Sequence, residues 1–279
     1  MFSQNLSRAS APSSRVDYSA PFPIVEAFGL RFSNLTFREA VDHILAMAAT
    51  PAPQFAVTPN VDHIVQMRRD GEMREVYRAA DLVLCDGMPV KWALSLLGRP
   101  LKDKISGSDL FPAACAAAAQ AGARPFLLGA GPGVADECAR RLAARHPRLQ
   151  VAGTFAPPQN FDGDAEAVRR IVDLVRAARP DVLFVALGTP RQEKFIHRHL
   201  AELGVPMSLG VGAAFDFLAG RIRRAPRWMR HAGLEWLWRV GREPRRLYRR
   251  YLIDDMAFFG IVWNEWRRLR SQSRAGMRS

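Results

Sequence analysis

The stretch "ADLVLCDGMPV" (residues 79–89) joins an apolar run to an acid. Residues 82–84 show no polar alternation, which is typical of a strand covered on both faces in a parallel sheet. The run ends at Asp86 and Gly87, which can form a simple turn, because glycine tolerates positive φ and aspartate bonds to nearby backbone. The carboxyl end of a parallel strand is also where open α/β sheets bind ligands. Other strand ends help to decide between a turn and a site.

The rest of the chain alternates between short apolar runs and helical patterns. We predict strands at residues 55–60, 81–87, 125–131, 149–155, 181–188 and 207–216. We predict helices at residues 36–49, 61–79, 108–121, 133–145, 164–178 and 190–203. Thr36 and Glu39 have the spacing of a capping box. The alternation predicts an α/β fold with a Rossmann-like, mainly parallel sheet covered by helices.

Charge is distributed unevenly along the 279 residues. Of the formal net charge of +13, +11 lies from Arg221 to the end, where 16 arginines stand against five acidic residues. We therefore predict three parts: a disordered N-terminus (1–22), an α/β domain (23–220) and a basic helical C-terminal appendage (221–279). Such a basic segment favours a phosphate-bearing partner, which can be nucleic acid, anionic lipid or a phosphorylated substrate.

Composition disfavours several classes of protein. The three cysteines are scattered without a CxxC pair, which favours a reducing compartment and argues against structural zinc. The Ser-rich N-terminus lacks an apolar h-region, so we predict no signal peptide. No apolar run reaches the roughly 18 to 20 residues that a membrane-spanning helix needs.

One glycine-rich loop partly matches a dinucleotide-binding fingerprint. In "FLLGAGPGVADECARRL" (126–142), Gly129 and Gly131 fit its first two glycines. Val134 stands where a third glycine or alanine is expected, and no acid near residue 150 could hold a ribose. NAD binding is therefore disfavoured, and the loop is expected to allow a close approach of backbone to a phosphate or a helix.

A D-x-D pair in "FDGDAEA" (161–167) resembles the metal-nucleotide signature of many glycosyltransferases. Asp162 and Asp164 also stand where the following helix needs an N-cap. We interpret both as caps rather than metal ligands.

Four predicted strand ends carry polar or glycine-rich groups. They are the segments 58–62, 86–87, 187–193 ("LGTPRQE") and 210–216 ("GVGAAFD"). Each one alone can be turn or cap chemistry. Because the carboxyl ends of parallel strands share one edge, we expect the four groups to lie together, and an edge with helix N-termini suits a diphosphate.

The basic segment contains a regular arginine stripe. Arg239, Arg242, Arg246 and Arg249 recur at i, i+3, i+7 and i+10, along one face of a helix. A solvated face is one interpretation, and a clamp on a diphosphate is another. The tryptophans between the arginines also suit an interfacial membrane helix or nucleic acid.

Taken together, the motifs resemble the WecG/TagA/CpsF glycosyltransferases (glycosyltransferase family 26). The matching segments are "TPNVDH", "ADLVLCDGMPV", "SGSDL", "FLLGAGPGVA", "ALGTPRQE", "GVGAAFDFLAG" and "RRAPRWMRHAGLEWLWRVGREPRR", within about residues 25–250. The resemblance implies an inverting, metal-independent enzyme that moves a hexosyl or N-acetylhexosaminyl group from a UDP-sugar. The implied acceptor is a sugar on a lipid pyrophosphate of the undecaprenyl type, used for cell-surface polysaccharide. The resemblance further implies a peripheral protein on the inner face of the cytoplasmic membrane, with no cofactor, and a possible homo-oligomer.

The resemblance also implies roles for individual residues. Asp86 matches the general base of the family. The implied substrate-binding residues are Thr58, Asn60, Lys104, Gln192, Asp216, Arg239, Arg246 and Arg249. Lys104 replaces an arginine that is usual in the family, and it keeps the charge but loses bidentate geometry. No nucleic-acid partner is expected on this interpretation.

An alternative remains open from the sequence. The Arg- and Trp-rich segment would also fit a basic nucleic-acid-binding or regulatory protein, which a salt-dependent gel shift would reveal.

Overall fold

The structure is a computed structural model that describes residues 22–226, 228–229, 234–242 and 255–276. A hairpin of β1 (Ile24–Ala27) and β2 (Leu30–Ser33) precedes the main sheet. The strands of that sheet are β3 (Gln54–Val57), β4 (Leu82–Val83), β5 (Pro125–Gly129), β6 (Gly153–Phe155), β7 (Val182–Ala186) and β8 (Met207–Gly210). They pair in parallel in the order β4-β3-β8-β7-β5-β6. This arrangement confirms the predicted Rossmann-like α/β fold.

Helices cover both faces of the sheet. They are α1 (Phe37–Ala48), α2 (Val61–Gln66), α3 (Gly71–Ala79), α4 (Met88–Leu96), α5 (Gly107–Ala121), α6 (Val134–Arg145), α7 (Ala165–Ala178), α8 (Arg191–Arg198), α9 (Leu200–Leu203) and α10 (Ala214–Leu218). Two more described helices follow, Glu235–Arg242 and Ala257–Gly276, and the second is called the C-terminal helix below. One apolar cluster contains side chains of α2, α3, α7, α8 and the C-terminal helix, whereas the other contains those of α1, α5, α6 and α10.

Burial on both faces explains the uninterrupted apolar runs. All five residues of β7 are buried. Its successive side chains point to opposite faces, so that Leu183 and Val185 join one cluster while Val182 and Phe184 join the other. A polar residue inside such a strand would lose its hydration without gaining a partner, which is why the pattern is continuous rather than alternating.

The predicted capping box at α1 is confirmed. The Thr36 hydroxyl accepts a hydrogen bond from the Glu39 amide (3.3 Å), and the Glu39 carboxylate accepts one from the Thr36 amide (2.7 Å). Two backbone amides at the start of the helix, which have no acceptor in the helix backbone, therefore find side-chain acceptors.

The predicted secondary structure is wrong at several points, and the predicted helices 61–79 and 190–203 are each divided in two. The β1–β2 hairpin and helix α4 were not predicted, and the run at 207–216 is a strand only to Gly210. Asp216 therefore lies on α10 and not at a strand end. The predicted disordered N-terminus lies, up to residue 21, outside the described residues.

The C-terminal helix packs on the α/β body through one face. Phe258 and Ile261 are buried, and the ring of Phe258 lies 5.6 Å from that of Phe28 in the hairpin turn. The opposite face exposes Phe259 (68%) and Trp263 (57%) to solvent. Within the part of the chain that is described, no helix is both long and apolar enough to cross a membrane.

Candidate active site at the carboxyl edge of the sheet

The predicted strand-end segments lie on four neighbouring strands. Asp86 follows β4, Thr58 and Asn60 follow β3, Gly212 follows β8, and the "LGTPRQE" segment follows β7. Because the strands are parallel, these segments meet at one edge. The helices after β3 and β7 pack in one apolar cluster and the helix after β8 packs in the other. Such a change of face opens a crevice at the strand ends.

Asp86 is placed by hydrogen bonds from the main chain around it. Its amide donates to the Pro59 carbonyl (3.0 Å), and the Cys85 carbonyl accepts from the Ile105 amide (2.7 Å). Gly87 has φ +98°, which only glycine adopts without strain, and it caps α4, so the chain turns sharply after the carboxylate. Burial raises the pKa of the Cys85 thiol, and the negative charge of Asp86 raises it further. The turn and the partly buried carboxylate of Asp86 thus belong to the same structure.

Thr58 lies where the carboxyl edge of the sheet is closely packed. Its side chain is buried, and a Cβ on Gly107 would stand 3.5 Å from the Thr58 hydroxyl and 3.3 Å from the Cα of Val211. Gly107 is the first residue of α5, so its small size lets the N-terminus of this 15-residue helix approach the ends of β3 and β8. The partial positive charge of a helix N-terminus favours an anion at this edge.

Asn60 has a structural role in addition to its predicted one. Its side-chain oxygen accepts from the His63 amide (3.2 Å), and its own amide donates to His63 Nδ1 (3.4 Å), which caps α2. Because the cap engages the side-chain oxygen, a contact to substrate would come most directly from the side-chain nitrogen, Nδ2.

A buried polar network supports this cap, and sequence reasoning missed it. The Tyr77 hydroxyl lies 3.0 Å from His63 Nδ1, and both side chains are buried. Burial raises the pKa of Tyr77 strongly, and the carboxylates of Glu193, Asp62 and Asp86 add to this effect. The hydroxyl therefore stays protonated, within hydrogen-bond distance of the same His63 nitrogen that accepts from the Asn60 amide. The helical position of Tyr77 in the sequence gave no indication of this contact.

Gln192 is buried against the last residue of β8. Its Oε1 accepts from the Gly212 amide (3.0 Å), and its Nε2 donates to Glu193 Oε1 (2.8 Å). A Cβ on Gly210 would stand 2.8 Å from Gln192 Nε2, so the glycine provides the space for this side chain. These contacts fix the loop after β8, whereas the predicted substrate contact of Gln192 stays a prediction.

Lys104 lies beside an acid that also binds an arginine. Lys104 Nζ is 3.6 Å from Asp109 Oδ2, and Arg224 Nη1 is 2.8 Å from Asp109 Oδ1. Burial would raise the pKa of Asp109, but the hydrogen bonds from Arg224 and Ser106 outweigh it and lower that pKa to about 2. Arg224 is thus a further cation near Lys104 that sequence reasoning did not single out, although it lies within the matched block "RRAPRWM".

Asp216 stands slightly apart, where the chain leaves the α/β body. Desolvation raises the pKa of its half-buried carboxyl, against the opposing charge of Arg221. Its carbonyl accepts from the amides of Arg221 (2.9 Å) and Ile222 (3.2 Å). These bonds close the turn that begins the basic segment.

The arginine stripe is only partly described. Arg239 lies on the Glu235–Arg242 helix, and the description does not extend to its side chain. Arg246 and Arg249 lie outside the described residues. Nearby, the Trp238 indole donates to the carbonyl of Arg223 (3.2 Å), which connects this helix to the start of the basic segment.

The two aspartates of the D-x-D pair have different roles. Asp164 caps α7, where its carboxylate accepts from the amides of Glu166 (2.9 Å) and Ala167 (3.2 Å), so its predicted role is confirmed. The same prediction for Asp162 is wrong, because Asp162 lies in a 3-10 turn and pairs with Arg191 at 2.6 Å. Within the described ranges, no group of three or more His, Cys, Asp or Glu side chains could hold a metal ion.

The glycine-rich loop after β5 has a packing explanation. Gly129 has φ +114°, and a Cβ there would stand 2.5 Å from the carbonyl oxygen of Ala186 on β7. The adjacent Ala130 amide donates to the same oxygen (2.7 Å). The glycine therefore permits close approach to a neighbouring strand, and the approach of the loop to a phosphate stays a prediction.

Comparison with known proteins agrees with the sequence motifs at this edge. The profile described as "Glycosyl transferase WecG/TagA/CpsF family" matches residues 25–272. A relative from Bacillus spizizenii, an N-acetylglucosaminyldiphosphoundecaprenol N-acetyl-beta-D-mannosaminyltransferase, is 34% identical over 198 residues, or 71% of this chain and 74% of the relative. The enzyme of the same name from Bacillus subtilis is 31% identical, over 68% of this chain and 72% of its own length.

A more distant relative of that name comes from Staphylococcus aureus strain MW2. It is 28% identical and covers 81% of this chain and 87% of its own length. These similarities favour an enzyme over the nucleic-acid-binding alternative.

Proposed function

The chain belongs to the WecG/TagA/CpsF glycosyltransferase family, and we propose that it transfers an N-acetylhexosamine-type sugar from a UDP-sugar to a sugar linked by a diphosphate to a polyprenyl lipid. The names of the relatives support this class of acceptor and of transferred sugar. The observation that carries the proposal is the position of Asp86, a carboxylate at the carboxyl end of β4 beside the capped start of α2.

In the proposed reaction, Asp86 is the general base. It takes the proton of the acceptor hydroxyl while that oxygen forms a bond to the anomeric carbon of the donor. The bond between this carbon and the phosphate oxygen breaks, and the electron pair leaves with UDP. Attack opposite the leaving group inverts the anomeric centre. Gly87 turns the chain sharply into α4. In the proposed reaction this turn would leave room for a sugar next to the carboxylate.

The leaving diphosphate needs positive charge in the transition state. Lys104 and Arg224 are the described cations near the N-terminus of α5, and both contact Asp109. We propose that Arg239, Arg246 and Arg249 add to this charge from the basic segment, since guanidinium groups bind diphosphate oxygens in pairs. The proposal includes no metal, because Asp164 already caps α7 and Asp162 pairs with Arg191.

The exposed face of the C-terminal helix is proposed to contact the membrane surface that carries the acceptor. Trp263 stacks on Trp266 at 4.9 Å between ring centroids, and the guanidinium of Arg270 lies 3.9 Å from the Trp266 ring. Aromatic rings beside arginines suit a helix that lies in the lipid interface. The charges would then attract anionic lipid while the rings enter the headgroup layer.

Product analysis with defined substrates tests the proposed function. The full chain is incubated with single UDP-sugars and with N-acetylglucosamine linked by diphosphate to a short prenyl chain, and UDP release and product mass are followed. One donor, of the N-acetylhexosamine class, should give a product one sugar heavier, with the opposite anomeric configuration. Folded protein that releases no UDP with any donor, or that gives the retained anomer, would contradict the proposal.

A further inference from the structure

A cavity rich in arginine lies away from the strand ends. It has a volume of about 680 Å³ and is enclosed by the β1–β2 hairpin, α2, α3 and the C-terminal helix. Two glutamates and five arginines line it, the arginines being Arg31, Arg68, Arg74, Arg78 and Arg268. The cavity therefore carries an excess of positive charge before any ligand is considered.

Three of these arginines have no carboxylate partner among the described residues. Arg74 donates to the carbonyl of Met67 (3.0 Å) and Arg78 donates to the carbonyl of Gly29 (3.3 Å), so both are positioned by neutral groups. Arg68 is exposed. No carboxylate among the described residues forms an ion pair with any of the three. Like charges around one cavity repel each other, and an anion between them would relieve that repulsion.

The other two arginines differ in this respect. Arg268 pairs with Glu265 at 2.7 Å, and this contact raises the pKa of Arg268. Arg31 lies 3.9 Å from Glu26, and both side chains are mostly exposed, so this pair contributes little. The arginines without a described carboxylate partner thus lie on α3 and just after α2.

The hairpin turn is shaped to accept one of these arginines. Phe28 and Gly29 both have positive φ (+56° and +77°). A Cβ on Gly29 would stand 3.4 Å from an Arg78 guanidinium nitrogen, so the glycine allows Arg78 to lie along the turn. The Phe28 amide, 3.4 Å from Glu265 Oε1, connects the same turn to the C-terminal helix. Two walls of the cavity are therefore held together.

The cavity is separate from the candidate active site. Arg78 lies in the last turn of α3, before β4 begins, whereas Asp86 follows the end of β4. None of the described residues that are proposed for the active site lines the cavity. A ligand in the cavity would thus not occupy the position proposed for the sugar donor.

We propose that this cavity binds a phosphate group. Phosphate offers more acceptor oxygens than a carboxylate, and arginine forks match them in pairs. Apolar side chains of Ile64, Met67 and Ile261 line the same cavity, which suits a phosphate that is attached to an apolar group. The phosphate can belong to the headgroup of an anionic lipid or be free in solution.

The test compares charge-matched variants. Arg68→Gln with Arg78→Gln removes two cavity cations, and Arg169→Gln with Arg170→Gln removes two exposed cations on α7. Arg68→Gln alone is the second cavity variant, because no described contact of its side chain supports the fold. Binding of inorganic phosphate is measured by calorimetry. Binding to phosphatidylglycerol and phosphatidylcholine vesicles is measured by sedimentation.

The cavity variants should lose about tenfold or more in affinity for one of these anionic probes, since charge-assisted contacts are removed. Loss of phosphatidylglycerol binding identifies a lipid headgroup, and loss of phosphate binding alone identifies a free phosphate. The α7 variant should bind both as the unmodified chain does. If the Arg68→Gln variant and the double variant both melt normally and bind both probes like the α7 variant, the proposal is wrong.

Discussion

The amide of Asp86 donates a 3.0 Å hydrogen bond to the carbonyl of Pro59, which ties the loop after β4 to the loop after β3. The next residue of the second loop, Asn60, caps α2, so the carboxylate and the helix start are held in one unit. A Cβ on Gly87 would lie 3.8 Å from the Cβ of Asn60, which shows how closely the two loops pack. These main-chain contacts fix the position of the Asp86 carboxylate through the backbone on either side of it.

Replacing Asp86 by Asn tests the proposed base. The amide keeps the size of the side chain, and the main-chain contact to Pro59 is unaffected, so folding and UDP-sugar binding should be retained. Turnover should fall by about 10² to 10⁴, the usual contribution of a general base. Turnover is measured as UDP release and binding by calorimetry. An Asn variant with near-normal turnover on a matched acceptor would leave Asp86 as a turn residue only.

Local pattern was sufficient to predict the edge that carries Asp86. Apolar runs covered on both faces predict parallel strands, and the polar groups after β3, β4 and β7 follow from chain direction alone. The order of the strands could not be predicted in this way. It depends on packing between segments distant in the sequence, such as β3 against β8.

The roles of single side chains were harder to predict. The sequence shows that Asn60 is a polar residue at a strand end. Its capping hydrogen bond with His63 depends on where α2 begins, which the sequence does not show. The space for Gln192 exists because Gly210, 18 positions later in the chain, has no side chain. Asp162 stands in a capping pattern, but its ion pair with Arg191 joins two loops that only the fold brings together.

Gly210→Ala tests the packing of Gln192. The new methyl group would stand 2.8 Å from Gln192 Nε2 and 3.1 Å from its Cγ, so the side chain must move and its bond to Gly212 is strained or lost. We expect a loss of about 1–3 kcal/mol in the free energy of unfolding. Gly163→Ala is the control, because a Cβ there would meet nothing within 4 Å. Equal denaturant midpoints for the two variants would show that Gln192 is not held in this position.

Asp109→Asn tests the anchor between α5 and the basic segment through its pH dependence. The folded-state pKa of Asp109 is lowered from 3.8 to about 2, so its stabilising contribution is fully present above pH 3.8 and is lost as the pH falls through 2. The variant should therefore melt below the unmodified protein at pH 6, and the gap should narrow toward pH 3. Asp173→Asn, in an exposed pair with Arg176, should change little at either pH. A gap that is constant with pH would exclude the ion pair as its cause.

Asp164 variants combined with chelation test the interpretation of the D-x-D pair. Asp164→Ala should cost about 0.5–2 kcal/mol of stability through loss of the α7 cap, and Asp164→Asn should restore most of it, since asparagine caps equally well. The transferase activity of the unmodified chain should survive excess EDTA. Loss of activity on chelation, restored by Mg²⁺ or Mn²⁺, would instead assign a metal to the reaction.

The two faces of the C-terminal helix should respond differently to polar substitution. If the whole apolar stretch 256–263 lay in the lipid interface, polar substitution of any of its large apolar residues would weaken membrane binding. Phe258 and Ile261 are instead buried against the body, and only Phe259 and Trp263 are exposed. Phe258→Ser should lower the free energy of unfolding by about 3–5 kcal/mol, because a buried ring is lost. Phe259→Ser with Trp263→Ser should leave the melting temperature unchanged and weaken sedimentation with anionic vesicles, while turnover on a short soluble acceptor is retained. If this double variant is folded, keeps its oligomeric state in analytical ultracentrifugation and binds vesicles normally, the exposed face does not contact the membrane.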